Sequence, residues 1–356
     1  MPSAADPPPP ELGAADDVAA AIAASPAGSI RFDEFMQLAL YGPHGFYAGS
    51  DGGGGGGSAG RRGDFLTSSE VGPLFAAVLA RALDHWWIGL GRPDPFTVVD
   101  AGAGPGTLAR GIAAASPLCR DALRYIAVEV SESQRRSHPP HVISSPDMPK
   151  TPFVGVVVAN ELLDNLPFRL LVFDGGWREA HVASDGGRLV ERTVPVHGLP
   201  AWLPETAPHG ARVPWQEEAA AWVRATAALL DKGRILAIDY SCATTADLAT
   251  RPWRDWLRTY RRHARGAHYL SAVGEQDITA ELALDQLSPP DAVRTQAAFL
   301  QQWGIEELVE DGRREWAAAA ARPTLAAMTM RSRIREAEAL VDPNGLGGFS
   351  AAEWCR

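Results

Sequence analysis

The chain reads as an α/β protein, a Rossmann-like and mostly parallel sheet covered by helices. Three observations predict this. Five short segments are apolar on both faces, as strands inside a parallel sheet must be. Helical stretches alternate with them, as crossover connections require. A glycine-rich turn, Gly102-Ala103-Gly104-Pro105-Gly106, follows the first of these strands and opens a helix, which is where open α/β sheets bind ligands.

The N-terminal part comes first. Residues 1–28 read as disordered or weakly ordered, because Pro7 to Pro10 and small polar residues bury little. Over Asp33 to Tyr41, Phe32, Phe35, Met36 and Ala39 recur at helical spacing, and Gly42-Pro43 stops the helix. The run Gly52 to Gly57 predicts a mobile loop over 48–62. No Lys-Ser/Thr pair follows it, so it is not a phosphate cradle. Thr67-Ser68-Ser69-Glu70 is a capping-box pattern with Pro73 near the first turn, and a helix should run from it to about Trp87.

The main domain is expected over 96–349. Its strands are Phe96 to Asp100, Tyr125 to Val130, His141 to Ser144, Val154 to Asn160 and Arg234 to Tyr240. An insertion over about 165–230 separates the fourth from the fifth. There Leu170 to Phe173, Asp174-Gly175-Gly176 and Trp177 to Val182 read as a hairpin, and Glu217 to Leu230 as an amphipathic helix. Beyond the fifth strand, Trp253, Trp256, Leu257 and Tyr260 predict one apolar face of a helix over 251–265, with arginines on the other.

Three motifs carry chemistry. In Asp100-Ala101-Gly102-Ala103-Gly104-Pro105-Gly106-Thr107 the glycines permit a tight turn and close approach to a ligand. The spacing is G-x-G-x-G, with Pro105 where a pyrophosphate would want a backbone N–H. That disfavours NAD and favours S-adenosylmethionine (SAM), which carries no phosphate. Glu129 ends the second strand, where a carboxylate can accept both ribose hydroxyls. Asn160-Glu161-Leu162-Leu163-Asp164-Asn165 ends the fourth strand. Its acids and amides could hold a cationic substrate nitrogen or the cofactor's amino group. Helix capping by Asn160, with Glu161 in the first turn, is the alternative.

Other classes fit poorly. The formal charge of −10 argues against a nucleic-acid binder, which needs a cationic face. No stretch approaches the ~18 apolar residues of a membrane span. The histidines show no metal spacing, and Cys119, Cys242 and Cys355 form no disulfide framework.

The chain resembles the MidA-type SAM-dependent methyltransferases from about Ile30 to Phe349. The resemblance rests on Ile30-Arg31-Phe32-Asp33-Glu34-Phe35-Met36, Ala39-Leu40-Tyr41, Gly45-Phe46-Tyr47 and Gly63-Asp64-Phe65-Leu66-Thr67-Ser68. It continues through Gly102 to Leu108, Val128-Glu129-Val130-Ser131, Asn160 to Asp164 with Leu166-Pro167, Ile238-Asp239-Tyr240 and Gly274 to Ala280. It implies a class I methyltransferase sheet, an N-terminal helical lid over 29–95, an inserted substrate region and SAM as methyl donor. By position, Gly102, Gly104 and Gly106 would line the methionyl part beside Asp100. Glu129 would hold the ribose, and Asp147 and Met148 would lie near the adenine. Thr67 and Ser68 would cap the cofactor, and Asn160, Glu161 and Asp164 would face the acceptor.

Mitochondrial members assist respiratory complex I assembly and are linked to methylation of a protein arginine. The implied partner is therefore a protein, such as a respiratory complex subunit. Without a targeting segment the expected setting is a bacterial cytoplasm. A non-catalytic SAM-binding assembly factor and a small-molecule methyltransferase stay open. The first would bind SAM without turnover; the second would show a closed apolar pocket under 165–230.

Overall fold

The protein is described by a computed structural model over residues 12–48, 67–261, 264–319, 321–322 and 324–356. The proline run, the glycine run 52–57 and the stretch Gly63 to Leu66 lie outside the described residues.

Seven strands form the central sheet: β1 (Phe96–Ala101), β2 (Leu123–Val128), β3 (Ile143–Ser145), β4 (Phe153–Asn160), β5 (Leu230–Asp239), β6 (Ala292–Thr295) and β7 (Ser350–Cys355). Their order is β6-β7-β5-β4-β1-β2-β3. Strands β1 to β5 pair in parallel, and β7 runs antiparallel to β5 and β6. The order reverses between β1 and β4: β1 leads outward to β2 and β3, and β4 leads the other way to β5. Such a switch point leaves a crevice outside the carboxyl ends of the strands.

Alternation along each strand assigns its faces. Val98, Val156 and Val158 point into one core, closed by the helices Pro73–Gly89 and Thr107–Ala115. Val99, Val157, Ala159 and Ala237 point into the other, closed by the helix Glu217–Ala228. Burial on both sides is why the strands carry so little polar sequence.

A third core joins the N-terminal region to the insertion. Strand Arg169–Phe173 turns at Asp174-Gly175-Gly176 into strand Trp177–Asp185, and Gly175 takes φ +68° there. Strand Ser29–Arg31 pairs antiparallel with residues 181–183 of the second hairpin strand, where the pairing with Arg169–Phe173 ends, while strand Arg188–Pro195 covers the other edge. The N-terminal segment and the insertion are thus one packed unit, whereas the helix Pro73–Gly89 belongs to the central sheet.

Four expectations need correction. The span 1–28 contains a helix, Ala14–Ala24, which buries Val18 and Ile22. The stretch Asp33 to Tyr41 is α-helical over Phe32–Met36 and then π-helical over Gln37–Tyr41. The helix opened by Thr67 is only one turn, Ser68–Val71, with its capping box formed. It breaks at Gly72, where the Glu336 carboxylate enters and accepts the Leu74 N–H at 2.9 Å. Finally, residues 251–265 are not one helix: after Trp253–Trp256 the chain becomes strand Leu257–Arg261, paired with Asp277–Ala280. Pairing with a buried neighbouring strand overrides the helical spacing there.

Candidate active site at the strand-order reversal

A cavity of about 340 Å³ opens at the switch point. One wall is the loop after β1, another the end of β2, and the third is Asn160 to Leu166 after β4. Thr67, Ser69 and Glu70 border it from the N-terminal side.

The glycine loop has the backbone its composition requires. Gly102, Gly104 and Gly106 take φ of +74°, +53° and +80°, a region that L side chains adopt only at a cost. A Cβ on Gly102 would lie 3.2 Å from Leu162 Cδ1. The loop is braced from behind. His138 Nε2 lies 2.8 Å from the Gly104 carbonyl, and Arg110 donates to the carbonyls of Pro105 and Ser137.

Glu129 is buried at the mouth of the loop. Its Oε2 accepts the Gly104 N–H at 2.9 Å and its Oε1 the Ser131 N–H at 2.8 Å. These bonds fix the carboxylate plane and leave each oxygen a second lone pair. Burial raises its pKa above the ordinary value, against those two hydrogen bonds. Asp100 also borders the cavity; burial lifts it to about 7, although the Tyr125 hydroxyl donates to it at 2.9 Å. Asp147 and Met148 line the far end, just past β3.

After β4 the chain makes a forced turn. Glu161 takes φ +53°, unusual for a residue with a side chain. The turn is held because the Glu161 N–H donates to the Ile238 carbonyl at 2.8 Å. The carboxylate accepts the Ser68 N–H at 3.1 Å and Asn160 Nδ2 at 3.2 Å. Burial pushes Glu161 to about 8, and the nearby Asp239 adds to the rise.

Not every expected residue reaches the cavity. Ser68 is fully buried and its hydroxyl donates to Gln296 Oε1 at 2.7 Å, away from the cavity. Gly106 caps the helix Thr107–Ala115 and packs on His138 and Pro139. Asp164 is 2% exposed and lies against Asp239, whose Oδ2 accepts the N–H groups of Leu163 and Asp164. Burial first, and then Asp239, drives Asp164 well above the carboxylate range. It is a buried acid that faces Asp239 and does not border the cavity. Asn165, one of the two amides of that motif, does border the cavity, and so do Tyr41, Tyr47 and Gln134, which were not singled out for chemistry.

A family model described as "Putative S-adenosyl-L-methionine-dependent methyltransferase" matches residues 78–298, more than half of the chain. The chain belongs to this methyltransferase family. A Burkholderia thailandensis protein of the COG1565 superfamily, solved bound to S-adenosyl-homocysteine, superposes with a TM-score of 0.77 at 26% identity, covering 98% of this chain and 95% of that one. A native structure of a COG1565 superfamily protein from the same organism gives 0.75 at 25% identity, covering 98% and 95%. Two curated relatives match over 86 residues. One is the mitochondrial protein arginine methyltransferase NDUFAF7 homolog of Drosophila melanogaster, at 37% identity; the other is its Mus musculus counterpart, at 34%. Each match covers 24% of this chain and only 18% of the relative.

S-adenosyl-L-methionine is the cofactor of this methyltransferase, and the cavity suits it. A Cβ on Gly102 or Gly104 would press on Leu162 Cδ1 or Gln134 Oε1 at 3.2 Å, and both of those residues border the cavity. Gln134 Oε1 and Asn160 Oδ1 are buried acceptors without a partner in the protein, and both residues border the cavity. Unpaired acceptors beside acidic side chains call for a ligand that brings N–H donors and positive charge. Among the described residues no cluster of histidine, cysteine and acidic groups could hold a metal, and no helix is long and apolar enough to cross a membrane.

Proposed function

We propose that this methyltransferase acts on a protein side chain, an arginine guanidinium, with Glu161 as the acceptor-binding carboxylate. The observation that carries this reading is Glu161 itself: a carboxyl held by a strained backbone at the cavity wall, with a pKa of about 8. A buried carboxyl of raised pKa lacks a cation. A guanidinium would supply one through charge-assisted, preferably bidentate, hydrogen bonds.

SAM supplies an electrophilic methyl group on a sulfonium, so the protein's task is alignment. Glu129 would hold the ribose, Gly102 and Gly104 the methionyl part, and Asp147 and Met148 the adenine edge. The N-terminal unit would act as the lid, with Thr67 bordering the cofactor. Asn160 and Glu161 would then present one acceptor nitrogen to the methyl group and draw positive charge toward the opposite side of the guanidinium.

The names of the mitochondrial relatives, protein arginine methyltransferases, support arginine as the acceptor and a protein as the partner; a respiratory complex subunit is what the MidA-type resemblance implies. An open groove of about 1060 Å³ that meets the cavity supports a large acceptor over a small enclosed one. Incubation with labelled SAM and a lysate of the source organism, followed by mass spectrometry of the labelled protein, tests the reading. Methylarginine is expected. Glu161→Gln should lower kcat/KM roughly 10- to 100-fold, the worth of about 1.5–3 kcal/mol for a hydrogen bond to a charged group, while SAM affinity stays within threefold. Unchanged turnover in that variant would remove Glu161 from the site.

A further inference from the structure

Two cavities meet at a pair of tyrosines. Tyr41 and Tyr47 line both the cofactor cavity and the open groove outside it. Their rings stack at 5.4 Å between centroids, 26° apart in plane. The π-helical turn Gln37–Tyr41 brings Tyr41 to this position, and such turns recur at functional sites. Phe46 braces Tyr47 edge-on at 5.1 Å.

Both hydroxyls are tied to one buried network. Tyr41 donates to the Asn165 carbonyl at 3.2 Å, and Tyr47 donates to Asp277 Oδ1 at 3.0 Å. Asn165 Nδ2 donates to the same Asp277 carboxylate at 3.0 Å. Asn165 and Asp277 are 5% and 0% exposed. Asn165 follows Glu161 by one short turn, Leu163–Asn165. The tyrosines are thus pinned to the segment that carries the acceptor-binding carboxylate. A wall fixed this firmly is more than filler for a core: it sits where an incoming side chain must pass, and it is aromatic.

We infer that Tyr41 and Tyr47 are specificity-determining residues that select a planar, delocalised cation over a compact ammonium at the acceptor position. The inference rests on the cationic acceptor proposed above. A guanidinium is flat and weakly hydrated, so it gains from lying along an aromatic wall; an ammonium of the same charge keeps its water. Glu161 supplies charge and does not by itself distinguish the two. The tyrosines supply the shape.

The test is a binding measurement. The protein saturated with S-adenosyl-homocysteine is titrated with ethylguanidinium and with propylammonium by calorimetry. Wild type should bind the guanidinium at least fivefold more tightly. Tyr41→Leu and Tyr47→Leu should lose that ratio while S-adenosyl-homocysteine affinity stays within threefold. Tyr47→Phe, which keeps the ring and loses the anchor, should retain most of the ratio and guards against a folding defect. No preference in wild type overturns the inference. So does a ratio that survives both leucine variants, or a change confined to cofactor affinity, which would make the pair part of the cofactor site. A lysate that yields no methylarginine, beside an intact guanidinium preference, would sink the proposed function and leave this inference standing.

Discussion

At the scale of single residues, the decisive group is Glu161. Its backbone is held left-handed by the bond to Ile238, and its carboxyl stands at about 8 chiefly because it is buried. Two N–H donors, Ser68 and Asn160, do not offset that burial. The free enzyme therefore carries a neutral Glu161 at pH 7, and only the ionised form attracts a cation. The pH dependence of kcat/KM reports groups of the free enzyme. For a cationic acceptor it should climb about tenfold per pH unit below 8 and level off above, as a single ionisation requires. Glu161→Gln should be flat over the same range. A shared profile in wild type and variant would assign the ionisation elsewhere. Asp164 shows how far the same motif misleads at this scale. In sequence it is a second acid three residues on; in space it turns inward to Asp239, and burial raises its pKa.

At the scale of elements, β1, β2, β4 and β5 were legible because burial on both faces leaves mostly Val, Ile, Leu and Ala at their centres; β3, Ile143–Ser145, lies at the sheet edge and is largely exposed, against the expectation of a strand apolar on both faces. The glycine loop and Glu129 were legible because backbone close to a ligand needs glycine and a strand end needs a carboxylate. What escaped was set by partners remote in sequence. β7 reads as a small-residue tail, Ser-Ala-Ala-Glu-Trp-Cys, and becomes a strand because β5 and β6 flank it and Arg234 and Arg294 hold Glu353 at 2.7 and 2.8 Å. Strand Leu257–Arg261 carried helical spacing and yielded to its neighbour. Tyr41 and Tyr47 entered as part of the stretches that carry the family resemblance, since no local pattern shows that two cavities meet there. One element-scale consequence can be measured. Thr97, Gly155 and Gly233 lie side by side across β1, β4 and β5. A Cβ on Gly155 would sit 1.8 Å from the Thr97 carbonyl oxygen. Backbone in the middle of a sheet cannot give way, so Gly155→Ala should cost about 3 kcal/mol or more. It should appear as a lower urea midpoint at unchanged slope. Gly176→Ala, in the hairpin turn with nothing within 4 Å, should be neutral.

At the scale of the whole molecule, three acids at the ends of β1, β4 and β5 set how stability follows pH. Asp100 and Asp239 stand at about 7 and Glu161 at about 8, each raised first by burial. A carboxyl whose folded pKa exceeds its unfolded one contributes stability that is complete below about 4 and is lost as pH rises through the folded value. Between those limits the native state holds more protons than the unfolded chain, so unfolding free energy falls with pH. His181 and His268 work in the opposite sense, because burial lowers both and their contribution grows as pH rises toward 6.5. From 6.5 to about 7.5 that growth tapers off and is outweighed by the three acids, and toward 8.5 the buried Cys119 and Cys242 thiols, raised to about 12, begin to act in the same sense as the acids. The melting temperature should therefore fall steadily from pH 6.5 to 8.5. A ligand that brings positive charge to the cavity favours the ionised acids and stabilises only the folded state. Saturating SAM should raise the melting temperature more at pH 8.5 than at 6.5 and flatten the decline. S-adenosyl-homocysteine, which lacks the sulfonium charge, should flatten it less. A melting temperature that climbs across this window would mean that the three acids are ionised in the empty protein, and the electrostatic basis for a cationic acceptor would go with it.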